Sequence, residues 1–264
     1  MGNAVEILKR INYYRLRGYY IHLCDSSSDS FCEGTSFEQI IAIHDFDLSL
    51  GHLTAEYLMN IEVAMRTHVA YYHSHKFGAL GYRDSSNFWN LDYYNEFISE
   101  VNKAVGKSRD LYISHFTRNY HAQYPLWAIV EIISMGTLSK FYSNMFTNDS
   151  FQIAKTYYGA NDTNLVRTNF KCLVVLRNIC AHGGRLYNKP ITSNFVIKKV
   201  DKPRFSSTSY NTYFAALHAM KYLSPDRQLW VNFLNRLDEL ICLYGENIDI
   251  SMLGLVPDWK KLLL

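Results

Sequence analysis

The side chains best suited to chemistry lie in one short stretch in the second half of this 264-residue sequence. Arg177, Asn178 and His182 fall within the six letters RNICAH. An arginine offers a planar, charged pair of donors that suits a phosphate, and a histidine both takes and returns a proton near neutral pH. Residues of these types so close together are typical of a site that binds a phosphodiester and cleaves it.

These residues lie at the end of a predicted helix. The helix begins near Asp162 or Thr163 and ends at Gly183 and Gly184, since a glycine pair favours a C-terminal stop. At steps of about 100° per residue, four polar side chains form one narrow strip: Arg167, Lys171, Asn178 and His182. Arg177 instead continues the apolar line of the helix, which predicts a positive charge on its packed side.

Two interpretations of this charge are open. In the first, Arg177 pairs with a core carboxylate such as Glu62 or Glu131, and His182 interacts with the C-terminal dipole of the helix. In the second, Arg177, Asn178 and His182 open onto a cavity where an anion is bound and cleaved. The residue types alone do not decide between them.

The spacing of Arg177 and His182 adds a geometric condition. Five residues on an ideal helix separate two side chains by about 140°, which is too far for both to face one small group. Either the helix loosens near Ala181, or the site takes residues from both chains of a dimer. A dimer would also place two histidines around one phosphate. One would deprotonate the ribose 2′-hydroxyl, and the other would protonate the leaving 5′-oxygen.

The rest of the sequence predicts the helices that position this one. Apolar residues recur at helical spacings over residues 37–76, which predicts one or two helices there. Residues 92–121 keep helical character, and Pro125 fits the first turn of a further, buried helix. Near the C-terminus, the pair at 224–225, Ser-Pro, predicts the start of a last helix that stops before Gly245.

Two stretches interrupt the helical pattern. Residues 25–36 are small and polar, which predicts an exposed loop. Residues 190–209 alternate enough for a short β-hairpin or an extended loop, and their basic side chains predict a solvated flap. The predicted fold class is therefore all-α, a helical bundle with a small irregular or β-hairpin insertion near 190–209. Its one domain comprises a basic and aromatic segment with a loop (1–36), a helical core (37–190) and the flap with the C-terminal helix (191–264).

The amino-acid composition indicates which broad class of protein this sequence belongs to. With 48% apolar and 19% charged residues, the chain matches compact soluble proteins. Its net charge of +3 is compatible with nucleic acid as a partner but does not require it. The five cysteines include no C-x-x-C pair, which predicts reduced thiols and a cytoplasmic location. Because no apolar run reaches about 18 residues, we expect no membrane anchor.

The other clusters of ionisable residues predict neither a metal site nor a cofactor. Four histidines lie near one another in sequence: His52, His68, His73 and His75. No carboxylate or cysteine stands at ligand spacing from them. Asp45 and Asp47 point in different directions on a helix, which favours capping over a catalytic pair. The sequence also has no phosphate-binding or dinucleotide-binding glycine loop.

Basic residues interleaved with aromatic ones are typical of contacts with single-stranded RNA. The stretch INYYRLRGYY at 11–20 alternates tyrosines with arginines, although packing accounts for most of its rings. The basic residues that we expect to contact RNA are Arg15, Arg17, Lys171, Lys198 and Lys199.

Four segments of the sequence resemble, in the same order, segments of a known protein family. They are INYYRLRGYY (11–20), FDLSLGHLTAEYLMNIEVAMRTHVAYYHSHKFGALGY (46–82), YPLWAIVEIISMGTLSKFY (124–142) and LRNICAHGGRLYN (176–188). The last segment contains the Arg-polar-x-x-x-His pattern of HEPN domains. Together the four segments resemble the Abi-like (abortive infection) family of bacterial phage-defence proteins.

The resemblance implies an all-helical, HEPN-like bundle. Such proteins are usually homodimers in which the Arg-His helices of two chains are apposed, and many are metal-independent endoribonucleases. Carried over to this sequence, the resemblance implies that Arg177 holds the phosphate and that His182 transfers protons. It implies that Asn178 orients the substrate or the histidine.

The resemblance also assigns roles outside the Arg-His pattern. Arg185 matches a further basic position and is expected to contact RNA phosphate. Glu62 and Arg66 match an IE-x-x-x-R stretch, where the favoured role is a structural ion pair that supports the active helix.

The function expected on these grounds is a toxin-type, metal-independent endoribonuclease of phage defence in the bacterial cytoplasm. It would be silent until infection, with RNA as substrate and an antitoxin RNA or protein as a further partner. The alternative is a catalytically inert RNA-binding protein that holds a structured small noncoding RNA. A third interpretation, in which the motif is purely structural, predicts a large loss of folding stability when Arg177 is replaced by alanine.

Overall fold

The computed structural model describes residues 2–25, 30–205 and 210–264. Within these ranges the chain is all-α, with no β-strand, so the predicted fold class is confirmed. The helices are α1 (Gly2–Leu8), α2 (Tyr13–Tyr20), α3 (Phe37–Phe77), α4 (Leu91–Lys107), α5 (Leu111–Asn119), α6 (Leu126–Ile132), α7 (Met135–Asn144), α8 (Thr147–Tyr158), α9 (Thr163–Ala181), α10 (Tyr213–Tyr222), α11 (Arg227–Tyr244) and α12 (Trp259–Leu263). Part of the predicted loop at 25–36, residues 26–29, lies outside the described ranges.

Helix α3 is the central element. It is one continuous helix of 41 residues, which settles whether residues 37–76 form one helix or two. The Ser36 side chain caps its first turn by accepting a hydrogen bond from the Gln39 backbone N–H at 3.0 Å. Gly78, with φ of +80°, ends the helix. Because α3 packs against α2, α6, α9 and α11, it is the support against which the Arg-His helix is placed.

The core is built from apolar side chains at helical spacing. On α3 the fully buried side chains include Ile43, Phe46, Leu50, Leu58, Ile61, Met65 and Val69. On α9 they include Val166, Phe170, Leu173 and Leu176, and on α11 Leu234 and Leu237. All of them belong to one hydrophobic cluster, and burying such side chains contributes about 1.5–3 kcal/mol each.

Helix ends follow local capping rules, with one correction. Helix α9 begins as predicted, with the Asp162 side chain accepting from the Asn164 backbone N–H at 2.8 Å. Helix α11 stops before Gly245 as predicted, but its predicted start at 224–225 is wrong. The Asp226 carboxylate accepts from the Leu229 backbone N–H at 2.8 Å and caps the helix two residues later.

The predicted flap is also corrected. Residues 190–205 form no hairpin and are not a solvated segment, because Phe195 and Ile197 are buried in the core. The Asn169 side chain on α9 holds this segment by accepting from the Val196 N–H at 2.8 Å and donating to the Val196 carbonyl at 2.9 Å. The irregular form of the insertion is therefore the one observed, and residues 206–209 lie outside the described ranges.

One property of the helices bears on membranes. In the part of the chain that the structure describes, no helix combines the length and the apolar character that a bilayer span requires.

Candidate functional site

The end of α9 places His182 just outside the helix. The Gly184 N–H donates to the Ile179 carbonyl at 2.7 Å, and the Gly183 N–H donates to the Cys180 carbonyl at 3.1 Å. With Gly183 at φ of +59°, this is the Schellman arrangement that closes a helix. His182, with φ of −97° and ψ of 12°, is an exposed capping residue. The His182 N–H still donates to the Asn178 carbonyl at 3.1 Å, so the helical path continues to His182 and the chain departs from it at Gly183.

Arg177 lies one turn before this end and reaches the surface. Its side chain is 42% exposed, so its charge is not buried as predicted, although it faces Glu62, the core carboxylate that the first interpretation named. The long apolar stem of an arginine packs while its guanidinium extends to water. The Arg177 Nε lies 3.9 Å from Glu62 Oε2, and Nη1 donates to Asn178 Oδ1 at 3.5 Å. In the described part of the chain, no hydrogen bond or ion pair joins Arg177 to His182.

Glu62 is shared between two arginines. It lies buried on α3, and its Oε1 accepts a hydrogen bond from Arg66 Nη2 one turn later. Arg66 Nη1 also donates to the Ile133 carbonyl at 2.9 Å, at the end of α6. Glu131, the other acid considered as a partner of Arg177, is exposed and lines a cavity with Trp127. Because one carboxylate faces two guanidinium groups, a net positive charge is left at Arg177.

Two residues that we expected to contact RNA instead hold the turn after α9. Arg15 on α2 donates from Nη2 to the Gly183 carbonyl at 2.7 Å, and its Nε lies 3.4 Å from His44 Nε2. In return, Arg185 Nη1 donates to the Gly18 carbonyl of α2. A Cβ at Gly18 would lie 3.1 Å from the Arg185 guanidinium, so this close approach favours glycine. The expected phosphate contact of Arg185 stays a prediction.

Asp47 holds the next residues of the same turn, and the sequence reasoning missed it. It is 2% exposed in the middle of α3, where it caps no helix. Its Oδ1 accepts from the backbone N–H of Tyr187 at 2.7 Å and of Leu186 at 3.1 Å. Its Oδ2 accepts from the Tyr19 hydroxyl at 2.8 Å. Burial raises the pKa of this carboxyl above its usual range, while these hydrogen bonds and Arg185 oppose the shift.

The other predicted polar residues of α9 separate into two groups. Lys171 and Asn178 are exposed on the same face as His182. Arg167, the fourth member of the predicted strip, is half-buried and donates to Ser150 Oγ at 3.3 Å. Arg167 therefore belongs to the packed part of the bundle, and the exposed strip runs from Lys171 to His182.

The other basic residues expected to contact RNA lie on α2 and in the insertion. Arg17 is exposed on α2, and Lys199 is exposed in the insertion. Lys198 Nζ lies 4.6 Å from the centre of the Tyr222 ring, where it stabilises the insertion against α10 by a cation–π contact. Arg177, Asn178 and His182 thus lie in the last turn of α9 and at its C-cap, each at least partly exposed, and Arg15 is hydrogen-bonded to the turn that follows.

Two histidines of α3, His68 and His73, are packed among aromatic rings. His68 stacks on Tyr157 with ring centres 3.8 Å apart, and its Nδ1 lies 2.9 Å from the Tyr158 hydroxyl. His73 is fully buried beside Phe88. Within the described ranges, no group of three or more His, Cys, Asp or Glu residues is arranged to hold a metal ion.

Comparison with known proteins gives one match. A family model described as Abi-like protein matches residues 6–188, which is more than half of the chain. Neither the search of curated proteins nor the search of solved structures found a match. The matched region includes α3 and α9, and therefore every candidate catalytic side chain described above.

Proposed function

Because the chain belongs to the Abi-like protein family, we propose that it acts in abortive infection as a toxin-type, HEPN-like endoribonuclease of the bacterial cytoplasm. The observation that supports this proposal is the surface at the end of α9. There a half-exposed guanidinium, whose carboxylate partner is already bound to another arginine, lies on the same helix end as an exposed histidine.

In the proposed reaction, Arg177 binds the phosphodiester and neutralises its charge. One His182 imidazole removes the proton from the ribose 2′-hydroxyl, and the 2′-oxygen forms a bond to phosphorus. The bond from phosphorus to the 5′-oxygen breaks, and a second imidazole protonates that oxygen. The products are a 2′,3′-cyclic phosphate and a 5′-hydroxyl, and the residues of the site supply every proton transfer without a metal ion.

The second imidazole comes from a second chain. Arg177 and His182 have no direct contact within one chain, and each chain has one His182. Apposing the exposed α9 faces of two chains would place two arginines and two histidines around one phosphate. A homodimer is therefore part of the proposed function.

The same observation supports a second candidate. If the chains do not pair, an isolated arginine and histidine would bind RNA phosphate without completing the two proton transfers. The protein would then hold a structured small noncoding RNA without cutting it. An antitoxin RNA or protein that covers the end of α9 would keep the nuclease silent by the same contacts.

Cleavage of total bacterial RNA by purified protein in excess EDTA tests the proposal. We expect discrete cuts with cyclic-phosphate ends in the wild type. His182→Ala should lower the cleavage rate by about 100-fold or more, since removing general acid–base catalysis costs about that much. The His182 side chain makes no hydrogen bond within the described ranges, so the variant should fold normally.

The matched control is His52→Ala, because His52 is an exposed histidine on α3 that lines a cavity between α3 and α11. It should cut at the wild-type rate. Cleavage that persists in His182→Ala, or that a 2′-deoxyribose at the cut site leaves unchanged, would refute the mechanism. Intact RNA that copurifies with both the wild-type and the His182→Ala protein would favour the inert RNA-binding candidate instead.

A further inference from the structure

A cleft opens beside α9 on the face that carries the candidate site. It has a volume of about 360 Å³ and lies between the first turn of α4, helix α7 and the middle of α9. The lining residues that matter here are Tyr93, Ser139, Lys140, Lys171, Val174 and Val175. The cleft thus has an apolar floor, hydroxyl groups, one aromatic wall and two basic side chains.

The aromatic wall is a platform of two exposed rings. Tyr93 is 51% exposed, and Trp89 beside it is 57% exposed, with the ring centres 6.2 Å apart in an edge-to-face arrangement. Trp89 is fixed in place because its Nε1 donates to the Ser143 carbonyl of α7 at 3.2 Å. Large aromatic side chains left this exposed on a rigid base are the surfaces on which nucleic-acid bases stack.

The charge of the cleft suits a polyanion. Lys171 is exposed and forms no ion pair within the described ranges, while Lys140 pairs with the exposed Glu96 on the rim. Four other cavities of the protein each include a carboxylate in their lining: Glu131, Glu100, Glu56 and Glu246, respectively. No carboxylate lines the cleft beside α9. Charge therefore singles it out among these five cavities as a place for RNA.

The cleft is also at a suitable distance from the Arg-His end. Lys171 precedes Asn178, the neighbour of Arg177, by seven residues, so the two side chains share one helix face about 10 Å apart along the axis. That length corresponds to roughly two or three nucleotides of a stacked strand. The half-buried Val174 and Val175 continue the surface between the two places. A strand whose phosphate contacts Arg177 can therefore follow α9 to the cleft.

We propose that this cleft binds one base of single-stranded RNA, roughly two or three nucleotides from the phosphate held at Arg177 and His182. The inference rests on the proposed function, because it takes the RNA of that site as its ligand. Tyr93 stacks on the base, with Trp89 supporting its ring edge-to-face, and Lys171 contacts the adjoining phosphate. The cleft thus selects unpaired RNA, since a paired base is not free to enter it.

Binding of a short, unstructured oligouridine of about 12 nucleotides tests the inference without relying on cleavage. The measurements use His182→Ala protein, so that the RNA stays intact, and follow fluorescence anisotropy. Adding Tyr93→Ala should weaken binding about tenfold, in line with the loss of one stacked base. Adding Lys171→Gln should weaken binding and reduce its salt dependence. The matched controls are Tyr120→Ala, an exposed residue at the end of α5, and Lys261→Ala, an exposed residue on α12, and both should leave affinity unchanged.

An abasic scan locates the stacked base. Removing the base at one position of the oligonucleotide should weaken binding to the protein that retains Tyr93. The same removal should have no further effect when Tyr93 is already alanine, because both changes delete one interaction. The inference is overturned if Tyr93→Ala behaves like Tyr120→Ala, if no RNA binds, or if every abasic effect persists in the Tyr93→Ala protein.

These outcomes are separate from the fate of the proposed nuclease. If cleavage depends on His182 but the Tyr93→Ala protein binds RNA as well as the protein that retains Tyr93, only the cleft proposal is overturned. Coupling between Tyr93 and one base in a protein that never cuts RNA would overturn the nuclease and keep the cleft as an RNA-binding site.

Discussion

Arg15 shows how a single residue far away in sequence controls the position of the candidate histidine. Its guanidinium donates to the carbonyl of Gly183, the residue directly after His182, and places a positive charge at the negative end of the α9 dipole. We expect Arg15→Ala to lower the maximal rate of RNA cleavage about tenfold or more, because a loosened turn holds His182 less accurately. The measurement is steady-state cleavage kinetics, with rate and Michaelis constant determined separately.

The control for lost charge is Arg17→Ala, since Arg17 is exposed on the same helix and forms no ion pair within the described ranges. It should keep the wild-type maximal rate. Arg15→Lys keeps the charge and one donor and should recover most of the activity. If Arg15→Ala changes only the Michaelis constant, Arg15 binds RNA directly and does not position His182.

Residue roles were predictable from the sequence where they depend on near neighbours. The Glu62–Arg66 pair spans one helical turn, so its geometry follows from the spacing alone. Arg15 and Asp47 act on backbone groups that lie 168 and 139 residues away. No spacing rule reaches that far. The one local sign was that Asp47 interrupts the buried line of Ile43 and Leu50 on α3.

At the level of elements, α3 should make the fold sensitive to acid. Burial lowers the pKa of His73 to about 4, with Asp149 raising and Lys76 lowering it by charge, and lowers that of His68 to about 4 as well. Unfolded histidine has a pKa near 6.5, so between about pH 6.5 and 4 the unfolded chain binds more protons. Stability should therefore fall as the pH falls through this window, by about 2 kcal/mol per histidine between pH 7 and pH 5.

The variant His73→Phe tests this expectation. His73 has no hydrogen-bond partner for either ring nitrogen within the described ranges, and it packs against Phe77 and Phe88. A phenylalanine should fill this site and remove its share of the pH dependence. Urea unfolding at several pH values measures the effect. Wild-type and variant curves that run parallel from pH 7 to pH 5 would contradict it.

Element boundaries were predictable wherever a cap is local. The start of α9 at Asp162 and its end at the glycine pair depend on residues within one turn. The start of α11 was misplaced because Ser224 and Asp226 are both good caps, and only the folded chain shows which one accepts the bond. Segment 190–205 was misread because its buried side chains depend on packing against α9, which alternation in sequence does not reveal.

On the scale of the whole molecule, the all-α class followed from periodicity, while the arrangement of the site did not. Helical spacing fixes which side of α9 is apolar, but it does not show that Arg177 extends to the surface beside an already paired Glu62. That arrangement leaves a positive end of α9 at which His182 is exposed, whereas His44, the histidine next to Arg15, is buried. The proposed reaction therefore depends on a second copy of the protein.

If both histidines of a homodimer act on one phosphate, mixed dimers will be inactive. Light scattering should first give a mass twice the 30.8 kDa of one chain. Wild-type and His182→Ala chains are then unfolded together in urea, refolded and assayed for RNA cleavage at constant total protein. Because only wild-type pairs carry two imidazoles, activity should fall as the square of the wild-type fraction. Mixing with His52→Ala, an exposed histidine outside the site, should leave activity unchanged. A linear decline with His182→Ala would mean that each chain cuts RNA with its own histidine, and the two-histidine mechanism would be wrong.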